Sequence, residues 1–409
     1  MKTVRSFSIG LLAIVAVSLA SRAAMAATEL VVWHAYRGDE KSAFEKVAAQ
    51  YNKSQSQVVV KTLAVPYDAY ADKISASIPR GKGPDVFIFA QDRLGGWVEA
   101  GQTIEPIDFF VDEQVTKQLV PGMMAAMTYR DTIYGLPLNY KSIAMIYNTA
   151  LVKTPPKTSG ELLKLAKSMT DAKTGRFGLA YEYSNFFFHA ALMNAYGGGV
   201  FAAGAKPTIN SPQNVASIKT MMKWYKQDGV LPADPSSTLI SSLFNEGKTP
   251  IVFSGPWFLG EINDAKVKFA IAPLPTVDEA GGKPLRPWLT VEGVYVSAGS
   301  KAKEDAYRFA QYLVSKDAAL VLAVEGRQLP TNKAVYDDPR VAKDPTLAAF
   351  RKQLETAVVM PNYAEMTLMW SPVTTAMNKI VKGAATPEAA LTEAQKTITE
   401  SIGKLRKGR

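Results

Sequence analysis

The chain has 409 residues, of which 47% are hydrophobic and none is cysteine, so it is long and apolar enough for two domains with ordinary cores and no disulfides. Its formal net charge is +10, but the basic residues are dispersed except for a cluster at residues 404–409, which a solvated helix end explains more simply than nucleic acid binding does. Two histidines and no cysteine argue against a zinc site, and we expect neither a metal nor a cofactor.

Residues 1–26 are predicted to be a cleavable secretory signal peptide. Lys2 and Arg5 precede an apolar run at 9–19, and the small residues of Ala24-Met25-Ala26 suit the cleavage positions. The apolar run is too short for a membrane anchor. This segment has three positive charges and no negative ones, so its removal would leave a formal charge of +7. We expect a soluble periplasmic protein that is not a lipoprotein, because the chain has no cysteine to be lipidated.

The next part of the chain alternates predicted strands and helices. Apolar runs at 30–33, 58–60 and 86–89 have the length of buried strands, and the segments 43–51 and 67–78 between them have helical periodicity. This order predicts a βαβαβ unit with a mostly parallel sheet, which would form one α/β lobe.

A polar loop follows the third of these strands. Asp92 offers hydrogen-bond acceptors and Arg93 offers a fork of donors, and Phe89 or Trp97 could cover an apolar face of the same ligand. The loop lies at the carboxyl end of a strand, which is where ligands bind in open α/β sheets. A helix start with a surface ion pair explains the same residues without a ligand.

A second α/β lobe is predicted beyond a crossing segment, Asn139–Ser142, which separates strands at 133–137 and 143–147. The chain is expected to return to the first lobe after Pro273–Pro275 and to leave it again at Leu329–Thr331. The predicted boundaries are residues 27–139 plus 277–328 for the N-terminal lobe and residues 140–276 plus 329–409 for the C-terminal lobe.

Two local patterns in the second lobe have a structural meaning. Thr158 with Glu161 is a capping box and predicts a helix start. Gly255-Pro256-Trp257 predicts a turn that displays a tryptophan at the end of a strand, in position to stack on a ligand. Gly247-Lys248-Thr249 is not a phosphate-binding loop, because Ser242 occupies the position that requires glycine.

A series of short motifs runs in order over almost the whole mature chain. The motifs are Gly83-Pro84-Asp85, Ala90-Gln91-Asp92-Arg93, Ile146-Tyr147-Asn148, Pro155-Pro156-Lys157-Thr158, Phe244-Asn245-Glu246-Gly247-Lys248, Gly255-Pro256-Trp257 and Met360-Pro361-Asn362. Each motif is weak alone, but the ordered series resembles the periplasmic maltose/maltodextrin-binding proteins of ABC importers. The resemblance implies a two-lobed periplasmic-binding-protein fold (type II), in which each lobe has a mostly parallel sheet flanked by helices and hinge strands join the lobes.

The same resemblance implies a function and a set of site residues. An oligosaccharide would bind between the lobes, and closure would present the complex to the membrane permease subunits of an ABC importer. The protein would be a monomer, without enzymatic activity, a membrane anchor or a nucleic acid partner. Phe89 and Phe187 stand at positions where a stacking aromatic residue is usual, and Trp257 and Trp370 match stacking tryptophans. The complete predicted set is Tyr36, Arg37, Phe89, Asp92, Arg93, Lys141, Phe187, Trp257, Glu292 and Trp370.

Two departures from the family pattern leave alternatives open. Lys141 replaces a carboxylate, and Tyr36-Arg37 replaces an Asp-Lys pair. With Arg93, these cations would also suit an anionic or phosphorylated sugar, although an oligosaccharide is favoured. A further alternative is an exported glycoside hydrolase, with Asp92 and Glu292 as the two carboxylates that such an enzyme requires.

Overall fold

The computed structural model describes residues 27–262 and 266–407, so the predicted signal peptide lies outside the described residues. The strands are β1 (Thr28–His34), β2 (Val58–Ala64), β3 (Val86–Ala90), β4 (Thr128–Tyr129), β5 (Thr132–Ile133), β6 (Gly135–Lys141), β7 (Ala144–Asn148), β8 (Phe201–Ala202), β9 (Lys206–Pro207), β10 (Ile251–Ser254), β11 (Phe269–Ala272), β12 (Thr276–Val277), β13 (Lys283–Pro284), β14 (Trp288–Val296) and β15 (Val358–Val359). The helices are α1 (Gly38–Ser54), α2 (Tyr67–Ser77), α3 (Leu94–Ala100), α4 (Glu113–Lys117), α5 (Met123–Ala126), α6 (Ser159–Met169), α7 (Phe186–Ala195), α8 (Pro212–Met222), α9 (Ser237–Asn245), α10 (Lys303–Leu313), α11 (Lys316–Val324), α12 (Pro339–Ala342), α13 (Pro345–Gln353), α14 (Trp370–Val381) and α15 (Pro387–Lys407). No helix in the described ranges is long and apolar enough to cross a membrane.

The first lobe is built on a six-stranded sheet. Its strands lie in the order β2-β1-β3-β14, and β6 and β15 pair with different parts of β14. Strand β1 is parallel to both β2 and β3, which confirms the predicted βαβαβ unit. Strand β14 runs antiparallel to β3 and to β6, so this sheet is mixed.

Alternation along the strands divides the first lobe into two cores. Val86 and Ile88 of β3 pack with α1, α10 and α11 on one face of the sheet, and Phe87 and Phe89 enter the core on the other face. This follows from the two-residue period of a strand, whose successive side chains point to opposite faces. A short apolar run that is buried on both faces therefore fixes β3 at the centre of the lobe.

The second lobe contains a three-stranded sheet in the order β10-β7-β11. Both described pairings in this sheet are antiparallel, which differs from the expectation that each lobe has a mostly parallel sheet. The reason lies in the chain path. Strand β7 leads away from the first lobe and β11 leads back toward it, so two such neighbouring strands must run in opposite directions.

The crossing between the lobes is shorter than the predicted segment Asn139–Ser142. Strand β6 continues to Lys141, which pairs with Thr290 of β14, so only residues 142–143 separate β6 from β7. On its other side β6 is held by Leu329–Thr331, since the Tyr140 amide donates to the Leu329 carbonyl at 2.9 Å. These two sets of hydrogen bonds keep the end of β6 extended. The exact lobe boundaries stay a prediction.

The predicted helix start forms at α6 with Thr158 as its N-cap, although Glu161 bonds to the residue before the cap rather than to the cap itself. The Glu161 amide donates to the Thr158 hydroxyl at 3.2 Å, and the Glu161 carboxylate accepts from the Lys157 amide at 2.7 Å. A capping side chain of this kind satisfies an amide that the first turn of a helix leaves without a partner.

Candidate functional site

Strand register brings most of the predicted first-lobe residues to one edge of the sheet. Tyr36 and Arg37 follow the carboxyl end of β1, and Asp92 follows that of β3. Glu292 of β14 lies opposite Ala90 of β3 and Asn139 of β6. This edge is therefore formed by the carboxyl ends of β1, β2, β3 and β6, the position expected for a ligand site in an α/β lobe.

Lys141 lies in a buried cluster of charges at this edge. Its Nζ atom is 2.7 Å from Oε1 of Glu40 and 3.3 Å from Oε1 of Glu292, and 9% of its side chain is exposed. Burial lowers the pKa of Lys141, but Glu292 and Glu40 outweigh this effect and raise the pKa above its ordinary value. Burial also raises the pKa of Glu40. The sequence predicted that Lys141 is a free cation that faces a ligand. In the structure its ammonium group is instead paired with the two carboxylates.

Tyr36 extends this cluster. Its hydroxyl donates to Oε2 of Glu292 at 3.0 Å and accepts from Nδ2 of Asn139 at 3.1 Å. The Lys141 ammonium lies 5.0 Å from the centre of the Tyr36 ring. Burial and the Glu292 carboxylate raise the pKa of Tyr36 well above its usual value, so its phenol remains protonated and donating. Glu292 therefore has both of its oxygens occupied, Oε2 by Tyr36 and Oε1 by Lys141.

Arg37 joins the two lobes. Its guanidinium is 2.8 Å from Oε1 of Glu261, which belongs to a 3-10 turn at Pro256–Glu261, and the two side chains are 55% and 24% exposed. The preceding residue of that turn, Gly260, approaches the start of α1 so closely that a Cβ atom there would lie 3.2 Å from the amide nitrogen of Asp39. Asn245 of α9 fixes the turn by donating from Nδ2 to the Glu261 carbonyl at 2.8 Å. The lobes are therefore in contact, through backbone as well as through charge.

Asp92 is buried and lies between Arg93 and Trp370. The indole Nε1 of Trp370 donates to Oδ2 of Asp92 at 2.9 Å, and Nε of Arg93 lies 3.2 Å from the same oxygen. The Arg93 guanidinium is 5.6 Å from the centre of the Trp370 ring. Burial raises the pKa of Asp92 to about 6, against the opposing effect of Arg93. Three of the predicted residues thus form one contact group.

Phe187, Trp257 and Trp370 form a group of aromatic rings with Trp288 of β14. The centres of the Phe187 and Trp257 rings are 6.0 Å apart, and Phe187 is 6.2 Å from Trp288. Trp288 in turn lies 5.8 Å from Trp370. Phe187, Trp257 and Trp370 are all partly exposed, whereas Trp288 is buried and supports them. Because Trp257 and Glu261 share one turn, these rings lie beside the contact between the lobes.

Phe89 and Trp97 are placed differently from the sequence expectation. Phe89 is 4% exposed, and both of these side chains lie in the core of the first lobe. Tyr67 instead presents an exposed ring, which stacks on Phe89 with a separation of 5.4 Å between ring centres. Phe89 therefore does not offer a ligand the apolar face that the sequence predicted, because Tyr67 covers its ring.

Several residues at the site were missed in the sequence interpretation. Glu40 and Tyr67 lie in the first turns of α1 and α2, where the helical pattern gave no sign of a second role. Glu182 of the second lobe is close enough to Arg37 and Asp68 for their charges to affect its pKa, which burial raises. The one sequence signal that could have indicated Glu40 and Tyr67 is their place near the start of a helix that follows a predicted strand, and Glu182 has no such signal.

The cations of the site are all paired with carboxylates. Each cation of the predicted set has a carboxylate partner, as the pairs Arg37 with Glu261, Arg93 with Asp92, and Lys141 with Glu40 and Glu292 show. A site of this kind offers a ligand carboxylate and guanidinium groups together with aromatic faces. It leaves no excess of positive charge among these pairs for an anion, and it suits a neutral molecule that has many hydroxyl groups.

Comparison with known proteins identifies several similar chains. A family model described as bacterial extracellular solute-binding protein matches residues 46–349. A maltotriose-binding protein of Pyrococcus abyssi is 30% identical over 91% of this chain and 82% of its own. A maltooligosaccharide ABC transporter solute-binding lipoprotein of Streptococcus pneumoniae is 28% identical over 88% of this chain and 86% of its own. The structure of a Thermus thermophilus maltotriose-binding protein bound with maltotriose has 26% identity and a TM-score of 0.83, covering 91% of this chain and 100% of that one.

Proposed function

Because the chain belongs to the bacterial extracellular solute-binding protein family, we propose that it binds a maltodextrin-type oligosaccharide between its lobes and delivers this sugar to an ABC importer. The observation that supports this proposal best is the pairing of every cation in the predicted set with a carboxylate. The anionic-ligand alternative was suggested by Arg37, Lys141 and Arg93, and with their charges paired it loses its basis.

Each of the polar groups has a defined task in this proposal. Asp92 accepts hydrogen bonds from sugar hydroxyls and Arg93 donates to them, while Trp370 is held in place by its bond to Asp92. Trp257 and Phe187 stack on the apolar C–H faces of sugar rings. Lys141 and Glu292 act indirectly: Glu292 accepts a hydrogen bond from Tyr36, and Lys141 forms an ion pair with Glu292. These residues therefore divide into ligand contacts and residues that support them.

We also propose that the protein works without a chemical step. In the glycosidase alternative Asp92 and Glu292 would act on the glycosidic bond as acid and as base or nucleophile. Yet Oδ2 of Asp92 accepts from Trp370, and both oxygens of Glu292 have partners in Tyr36 and Lys141. Carboxylates engaged in this way support binding rather than proton transfer.

Export and partners complete the proposal. We propose that residues 1–26 direct the chain to the periplasm and are then removed, that no lipid is attached because the sequence has no cysteine, and that the monomer docks on permease subunits. Mass spectrometry of periplasmic extracts would give the mature N-terminus, which is expected near Ala27.

A thermal-shift and calorimetry screen tests the proposed ligand class. The panel contains maltose, maltotriose and maltotetraose, galacto-oligosaccharides of matched length, and a phosphorylated maltose. Ligand at a hundred times its dissociation constant stabilises the folded state by about 2.7 kcal/mol, so a binder is readily detected. We expect a response to the maltodextrins without release of shorter sugars. A response to the phosphorylated sugar alone would contradict the proposal, and hydrolysis of the oligosaccharide would favour the enzyme.

A further inference from the structure

Tyr67 is a large aromatic residue with an unusual degree of exposure. It is the first residue of α2, three positions after the end of β2, and 60% of its surface is exposed. By the pairing of β1 with β2, His34 lies opposite Ala64, so Tyr67 and Arg37 emerge from the same edge of the sheet. Its ring therefore lies on the ligand-binding edge rather than on a remote surface.

The orientation of this ring is fixed from below. One face of Tyr67 stacks on Phe89 at 5.4 Å with an angle of 24° between the ring planes. Phe89 is itself held by Tyr70 at 5.2 Å and by Trp97 at 5.8 Å. Because Phe89 holds the Tyr67 ring in place, binding a ligand would cost this side chain little conformational entropy. The rings that pack against Phe89 do not cover the other face of Tyr67.

The surroundings of Tyr67 connect it to the polar part of the site. The enclosing protein raises the pKa of its phenol, and the carboxylates of Asp92 and Glu292 add to this effect. Asp92 follows β3 and Glu292 lies opposite Ala90, so both carboxylates lie at the same edge of the sheet as Tyr67. The phenol stays protonated, so its hydroxyl can donate to a sugar oxygen while the ring contacts C–H groups.

We propose that Tyr67 is a sugar-stacking residue of the first lobe, and that it supplies the aromatic surface which the buried Phe89 cannot. Phe89 is then the support on which this surface rests. The inference depends on the proposed oligosaccharide function, since a ring face is useful to a ligand that has apolar C–H faces of its own. It also gives the first lobe an aromatic partner for the Trp257 and Phe187 rings of the second lobe.

Substitution of Tyr67 tests this inference with maltotriose as the probe. We expect Tyr67→Ala to weaken maltotriose binding by roughly tenfold, which is the order expected for the loss of one aromatic stacking contact. Tyr67→Phe retains the ring and should bind within about twofold of the unmodified protein. Without ligand, both variants should have the melting temperature of the unmodified protein, because the Tyr67 side chain is largely exposed.

Two control variants separate stacking from other causes. Phe109 is 95% exposed, and it belongs to the segment near Ile104, which pairs with Ser297 beyond the opposite end of β14. Phe109→Ala should therefore leave the affinity unchanged. Phe89→Leu should lower the melting temperature, as expected for a buried ring.

The outcomes are distinguishable. If the unmodified protein binds maltotriose and Tyr67→Ala binds it equally well, the inference fails and the proposed function stands. Equal losses of affinity in Tyr67→Ala and Phe109→Ala, or a matching fall in the melting temperature of ligand-free Tyr67→Ala, would also overturn the inference. If the unmodified protein binds none of the oligosaccharides, the proposed function fails and this inference fails with it.

Discussion

Replacement of Lys141 by methionine should destabilise the folded protein far more than it affects ligand contacts. The ammonium group lies between two carboxylates and stabilises both, Glu40 and Glu292, whose side chains are 6% and 13% exposed. Removal of one member of such a buried group leaves uncompensated charge, which typically costs about 3–5 kcal/mol. We therefore expect Lys141→Met to lower the free energy of unfolding by about 4 kcal/mol near pH 8.

The loss should depend on pH, because a carboxylate can take up a proton in place of the missing cation. The pKa of Glu40 is already raised in the folded protein, and removal of Lys141 would raise it further. Between the unfolded and the folded pKa the folded state then binds more protons, so stability falls as pH rises and is recovered on acidification. We expect the difference from the unmodified protein to be smaller at pH 5 than at pH 8.

Urea denaturation of the ligand-free protein measures this effect, and calorimetry measures maltotriose binding separately. The matched control is Lys46→Met, since Lys46 has an ion pair with Glu325 at 2.6 Å whose side chains are 50% and 43% exposed. The control should change the free energy of unfolding by no more than about 0.5 kcal/mol. If Lys141→Met unfolded like the control while losing affinity, Lys141 would contact the ligand, as the sequence first suggested, and would not stabilise the fold.

Three further outcomes are expected. Arg37→Glu should weaken sugar binding by no more than about fivefold, since an exposed ion pair contributes about 0.2–1 kcal/mol. Glu261→Arg in the same chain should restore part of this loss, as measured by calorimetry. A double variant that binds no better than the single one would exclude this pair as a stabiliser of the closed form. Maltotriose affinity should fall as pH drops below about 6, where Asp92 becomes protonated and loses acceptor capacity, and a flat titration between pH 5 and 8 would remove Asp92 from the contacts. Small-angle scattering should show a smaller radius of gyration on saturation with maltotriose, because only closed lobes contact the sugar together, and an unchanged radius would contradict hinge closure.

The sequence predicted those features that depend on local pattern. The runs at β1, β2 and β3 are short, apolar and separated by helical segments, so the βαβαβ unit of the first lobe could be predicted from the pattern. The place of Asp92 after β3 followed from the same pattern. Strand direction in the second lobe could not be obtained in this way, because apolar periodicity is the same for parallel and antiparallel neighbours.

The partners of the charged residues were also beyond the sequence. Lys141 lies beside Glu40 and Glu292 because β6 pairs with β14 and α1 begins at the same edge of the sheet. These contacts depend on the tertiary structure and cannot be predicted from local sequence. The exchange of roles between Phe89 and Tyr67 has a similar cause. The alternation of side chains along β3 places Phe89 on the same face as Phe87. It does not indicate that Tyr67, at the start of α2, will stack on Phe89 and cover it.

The Lys141 cluster has a consequence for the movement of the lobes. Lys141 is the last residue of β6, which pairs with β14, while Glu292 lies in β14 and Glu40 in α1, so all three are attached to the six-stranded sheet. In the proposed hinge closure, a cluster held by one sheet keeps its charges together, so we expect the motion to do no Coulomb work against them. The proposed ligand would then meet the same arrangement of charges in the open protein as in the closed one, and this preorganisation would lower the cost of binding.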